Sequence, residues 1–114
     1  MVGSAVSALN STAYNTVSSA SSYVKDIEGG YIQIGKLVIV NIRCTVNTEI
    51  TSSTAFITGL PKSIVQYNQG YGAASVSNNI QKTINILGNG TIGVGNDTIP
   101  VGTVMILSAS YMAK

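Results

Sequence analysis

The chain has no histidine and no tryptophan, a single cysteine, two prolines, and charge on only 9% of its 114 residues. Each shortage removes a class of chemistry. Without histidine there is no imidazole base, no Ser-His-Asp triad and no histidine-bearing metal site, which takes away the commonest general base and transition-metal ligand. Cys44, alone, cannot close an internal disulfide. Six cations against four acids leave a net charge of +2. That is too little and too scattered for a surface that binds nucleic acid by releasing counterions. No apolar run approaches the ~18 residues of a membrane span, so no membrane insertion is expected. Met1-Val2-Gly3-Ser4 has neither the basic start nor the apolar stretch of a secretion signal.

What the chain has instead is 45% hydrophobic residues and 12 glycines, with Ser, Thr and Asn supplying most of the polar groups. Its length suits one domain with one core, which needs no disulfide or metal to fold. The clearest pattern runs over residues 31–50. There Ile32, Ile34, Val38, Val40, Ile42, Cys44 and Val46 are apolar, while Asn41, Arg43, Thr45, Asn47 and Glu49 alternate with them, the period of a strand with one dry face. Gly35-Lys36 interrupts the run at the two-residue spacing of a tight hairpin; a continuous strand with a glycine bulge is the competing reading. Leu37, Val38, Ile39 and Val40 are apolar on both faces, so something beyond their own sheet must cover the second face.

Further strands follow at short intervals. Residues 54–58 run into Gly59-Leu60-Pro61, where the proline cannot donate to a ladder. Residues 67–72 read as a loop leading into a strand at 73–77, broken by Asn78-Asn79. Residues 80–87 carry Ile80, Ile84 and Ile86 on one face, and Asn89-Gly90 turns that strand back onto residues 91–94. Gly95-Asn96-Asp97 reads as a second turn. In the last run, residues 101–112, Val104, Met105, Ile106 and Leu107 point apolar groups both ways. Short strands at this spacing predict a β-sandwich or barrel. Residues 1–22 form a separate N-terminal segment ahead of a head domain at 23–114. Val2, Val6, Leu9, Ala13, Val17, Ala20 and Val24 recur at coiled-coil spacing, yet the residues between them are Ser, Thr and Asn, poor helix formers. A short stalk and an extended edge segment therefore both stand.

Motifs with chemical potential are few. Residues 88–93 match G-x-G-x-x-G, but Gly95 and Pro100 fall where the following helix should run, so they read as a glycine-rich turn. Asp26, Glu28, Glu49 and Asp97 are all the carboxylates available for acid–base work. No calcium-loop spacing occurs, and no metal or other cofactor is expected. Cys44 falls on the apolar face of its strand and reads as a small buried hydrophobe. Asn10, Asn89 and Asn96 each open an N-x-[ST] triplet, which without a secretory signal reads as turn chemistry. Tyr14, Tyr67 and Tyr71 stand among Asn, Gln and Gly. A ring face beside amide groups suits stacking and hydrogen bonding to a sugar; a tyrosine capping the core with its hydroxyl in water fits equally.

The stretch Gly30-Tyr31-Ile32-Gln33-Ile34-Gly35-Lys36-Leu37-Val38-Ile39-Val40, then Ile57-Thr58-Gly59-Leu60-Pro61, Gly90-Thr91-Ile92 and the closing Gly102-Thr103-Val104 to Ser110-Tyr111 resemble the C-terminal head domains of bacteriophage tail-fibre and baseplate receptor-binding proteins. The resemblance covers residues 23–112. It implies a jelly-roll-like antiparallel β-sandwich assembled as a homotrimeric head, made without a signal peptide and carried on the virion, that attaches without enzymatic activity to a host cell-surface glycan. It supplies no ligand motif. From loop composition the candidate ligand-binding residues are Tyr67, Asn68, Gln69 and Tyr71, with Asn96 and Asp97 as a second group. The candidate oligomer interface is Leu37, Ile39, Met105 and Leu107, with no catalytic residue. The rival expectations are a purely structural trimerisation module and a depolymerase using Asp26, Glu28 or Asp97.

Overall fold

The computed structural model of the chain describes residues 14–52, 54–74, 80–95 and 98–114, in which every regular element is a β-strand. In chain order these are β1 (Ser18–Ser19), β2 (Val24–Ile34), β3 (Leu37–Val46), β4 (Ala55–Thr58), β5 (Tyr67–Ala74), β6 (Ile80–Leu87), β7 (Ile92–Val94) and β8 (Val104–Met112). All pairings are antiparallel, in the order β1-β4-β7-β6-β5-β8-β3-β2. β5, β6 and β7 are successive neighbours and β8 returns beside β5, which is a Greek key. The two outer strands of this order meet in one segment. Asn15 exchanges backbone hydrogen bonds of 2.8 and 2.9 Å with Tyr31 of β2, while Ser18 and Ser19 pair with Thr58 and Ile57 of β4. The sheet is thus folded on itself about a single core, a two-layered all-β architecture of sandwich type.

The β2–β3 hairpin forms where Gly35 supplies a φ of 59° at the first turn position, the pattern of a type II′ turn. Its register sets Ile34 opposite Leu37 and Ile32 opposite Ile39, so Ile32 and Ile34 share the outer face with Leu37 and Ile39. Alternation does the rest. Val38, Val40, Ile42, Cys44 and Val46 are buried, and Leu37, Ile39, Asn41 and Arg43 face outward. On β8, Met105 lies opposite Cys44 and Leu107 opposite Ile42. Facing residues of an antiparallel pair share a side of the sheet. Met105 and Leu107 are therefore fully buried in the chain's own core, which corrects their expected place at an oligomer interface. The outward apolar groups of β8 are Val104, half-buried, and Ile106 and Met112, 40% and 49% exposed.

Two other expectations change. Residues 67–72 are not a loop: they belong to β5, paired with β6 over eight positions and with β8 from Tyr71 to Ala74. Ladder bonds from two neighbours outweigh the weak strand propensity of Gly, Asn and Gln. The β6–β7 turn has three residues rather than two. The Gly90 N–H donates to the Leu87 carbonyl (3.0 Å) and the Leu87 N–H to the Thr91 carbonyl (2.9 Å), with Gly90 at φ 83°, the arrangement of a type I turn closed by a glycine bulge. Gly90 has no substitute there, because a Cβ would run into the Leu60 carbonyl oxygen.

At the N-terminal side, residues 14–19 are extended. Val17 is buried in the sheet core and Val24 opens β2, so these two members of the expected helical seam serve the sheet instead. The rest of that seam up to Ala13, the run 75–79 and the Asn96-Asp97 turn lie outside the described residues.

Candidate functional site

A concavity on the outer surface of β4, β7 and β6 has a volume of about 480 Å³. Its floor is a row across three strands: Ala55 pairs with Gly93, and Gly93 with Asn85. Gly93 makes the floor low. Its missing side chain lets the strand pass close to the loop before β4, where a Cβ would lie 2.9 Å from the Thr54 carbonyl oxygen. The inward neighbours Ile84, Ile86, Ile92 and Val94 are buried, which fixes Asn85 and Leu87 on the outward side by alternation.

The walls are polar. Asn85, Gln66 and Asn89 bring amide groups, Thr54 a hydroxyl and Lys62 an ammonium, with Ala55 and Leu87 as apolar contacts. The segment carrying Lys62 and Gln66 is fastened beside the β6–β7 turn. The Gly88 N–H donates to the Gln66 carbonyl (2.8 Å) and the Ser63 N–H to the Gly88 carbonyl (3.3 Å). Asn89 is held in the turn by the Thr91 hydroxyl, which donates to Asn89 Oδ1 over 2.8 Å. Amides that both donate and accept, set over a glycine floor, can hydrogen-bond the hydroxyls of a neutral polar ligand.

The two stretches singled out from loop composition flank this groove along the chain. Gln66 immediately precedes Tyr67, and Gly95 immediately precedes Asn96; both line the groove. Tyr67 is the ladder partner of Leu87, another lining residue. Asn68, Gln69 and Tyr71 continue along β5 opposite Ile86, Asn85 and Thr83, while Asn96 and Asp97 lie outside the described residues. Sequence reasoning missed Gln66, Asn85 and Asn89 as a group. Asn85 read as the wet face of a strand and Asn89 as turn chemistry, and Gln66 is brought beside them by the Gly88 N–H bond to its carbonyl.

A second, smaller hollow of about 300 Å³ lies on the outer face of β2 and β3, lined by Tyr14, Gly29, Gly30, Tyr31, Ile32, Ile39 and Asn41. Tyr14 is 54% exposed. This hollow opens onto the apolar face made by Leu37 and Ile39, each 39% exposed.

Among the described residues, the groups suited to catalysis are elsewhere. Asp26 and Glu28 are exposed on β2 on either side of a bulge, where Asp26 takes a φ of 52° and the register slips between Lys25 and Glu28. Neither lines the groove. Cys44 is buried, and burial pushes its thiol up to about 11, so the nucleophilic thiolate is suppressed at neutral pH. The residues of the G-x-G-x-x-G match form the β6–β7 turn and the start of β7.

Compared with known proteins, the chain matches no family model, no curated protein and no solved structure.

Proposed function

We propose that the chain is a saccharide-binding head that acts without catalysis, as the homotrimeric tip of a phage or prophage tail fibre with jelly-roll-like winding. The observation that carries the binding part is the groove over Gly93, where the amides of Asn85, Gln66 and Asn89 converge above an apolar and glycine floor. Such a surface matches a sugar's alternation of hydroxyl and C–H faces. Weak sites on three subunits combine through effective concentration, so each groove can be shallow.

The trimer rests on the outer face of β2, β3 and β8. Ile39 and Leu37 pair across to Ile32 and Ile34 on one side, and Leu37 to Met112 on the other. A copy seated there covers aliphatic groups that one protomer leaves in water. The jelly-roll reading rests on the pairings β3–β8 and β4–β7, which flank the β5–β6 hairpin as the paired arms of a rolled ribbon do.

A glycan array tests the proposal. Wild type is expected to retain a defined set of saccharides, and Asn85→Ala or Gln66→Ala to reduce the signal about tenfold, the weight of a hydrogen bond or two with the partner group left unpaired. A blank array for wild type leaves the structural trimerisation module as the function, and release of new reducing ends from host polysaccharide makes it a depolymerase.

A further inference from the structure

Three of the six cations and three exposed apolar side chains lie at one end of the sheet, the end formed by the β2–β3 turn, the β6–β7 turn and residues 112–114, while Val101, 62% exposed, lies at the other. Backbone hydrogen bonds knot these pieces together: Ala113 N–H to the Lys36 carbonyl (2.7 Å), Lys114 N–H to the Lys62 carbonyl (2.8 Å) and Ile64 N–H to the Met112 carbonyl (3.0 Å). Lys36, Lys62 and Lys114 are thereby brought to one end, all three exposed. Between them stand exposed aliphatics: Ile64 at 60%, Val65 at 48% and Met112 at 49%.

The described acids lie toward the opposite end. Asp26 and Glu28 are at the far end of the hairpin, opposite the Thr45 and Arg43 part of β3, and at about 3.3 Å per residue Glu28 is roughly 20 Å from the turn. Glu49 follows the end of β3. Among the described side chains the lysine end therefore meets no carboxylate.

We propose that this end is a docking surface for an anionic lipid bilayer, on which the molecule rests peripherally. Ile64 and Val65 would enter the boundary between headgroups and acyl chains while the three ammonium groups meet lipid phosphates; Met112, beside them, belongs to the face assigned to the trimer. An amphipathic patch of this kind gains from both terms at once. Charge complementarity favours an anionic membrane over an end-to-end pair of this chain, whose two lysine ends would repel; a copy docking by its acid-bearing end is the competing occupant that the self-association outcome of the test detects. The inference stands apart from the saccharide reading, which uses Asn85, Gln66 and Asn89; Lys62 lines both surfaces and is left unchanged in the test.

The test is co-sedimentation of the full chain with vesicles of phosphatidylglycerol and phosphatidylcholine, against vesicles of phosphatidylcholine alone, at low and high salt. Wild type is expected to pellet with the anionic vesicles at low salt and to be released at high salt. Lys36→Gln should weaken binding about fivefold, the weight of one lysine at such a surface, and Ile64→Ser about tenfold. Lys25→Gln, at the opposite end, should change nothing. Both Lys36 and Ile64 meet water, and matching thermal midpoints verify that the variants fold. The inference is overturned if wild type ignores anionic vesicles at low salt, or if Lys25→Gln and Lys36→Gln lose binding equally. Loss of self-association in Ile64→Ser with no vesicle binding by wild type also overturns it, by assigning the patch to another copy.

Discussion

At the residue scale, two buried ionisable groups set the alkaline limit of the protein. The Tyr111 hydroxyl donates to the Pro61 carbonyl over 2.6 Å, and burial, with Tyr31 nearby, pushes it up to about 12 from the usual 10.0. Cys44 is pushed up by burial to about 11 from 9.0. For both, the folded state holds its proton more tightly than the unfolded chain. Their stabilisation is therefore intact below pH 9 and lost as pH rises through 9 to 11 for Cys44 and 10 to 12 for Tyr111. Urea midpoints measured from pH 8 upward should fall from about pH 9, and Cys44→Ala, though less stable overall, should delay the start of that fall to about pH 10. Gly90 offers a second test. Gly90→Ala combines a left-handed φ with a collision against the Leu60 carbonyl oxygen, and should cost more than about 2 kcal/mol by urea titration.

At the element scale, β3 and β8 show how far alternation can be taken from the sequence. Asn41, Arg43 and Thr45 break the apolar run of β3 at every second place, so its inner face is plain from the residues alone. β8 offers no such break between Val104 and Leu107, where four apolar residues in a row leave the phase undecided. The β3 register decides it, setting Met105 and Leu107 against the core. The two positions can be separated in the cell of a calorimeter. Met105→Ala should lower stability by about 2–5 kcal/mol through the cavity it leaves, whereas Ile106→Ser should stay within about 0.5 kcal/mol in the isolated protomer. The same limit explains β5. Its Gly70 and Gly72 speak for a loop, and the strands that hold it extended, β6 and β8, lie further along the chain. The candidate groove was illegible for that reason too: Gln66 is far along the chain from Asn85 and Asn89 and is joined to them by the Gly88 N–H bond to its carbonyl, while β7 supplies the glycine floor. The hairpins, by contrast, are written locally in Gly35 and Gly90.

At the scale of the whole molecule, the proposed trimer uses the outer face of β2, β3 and β8. Sedimentation equilibrium should report three times the 11.8 kDa of one chain, and Ile39→Glu, which sets a carboxylate among aliphatic neighbours, should shift the population to single protomers with the fold retained by circular dichroism. A single species of 11.8 kDa at every concentration in wild type removes the trimer. The order of the strands has a further outcome for biosynthesis. β8, the last of the described strands to be made, sits in the interior of the order between β3 and β5, and residues 15–19 bind β2 and β4 at once. Until this nine-residue strand emerges, β3 and β5 each lack a ladder partner on one side, and the two halves of the sheet are joined through residues 15–19. A chain cut short before β8 is therefore expected to expose two unpaired strand edges and to aggregate or be degraded.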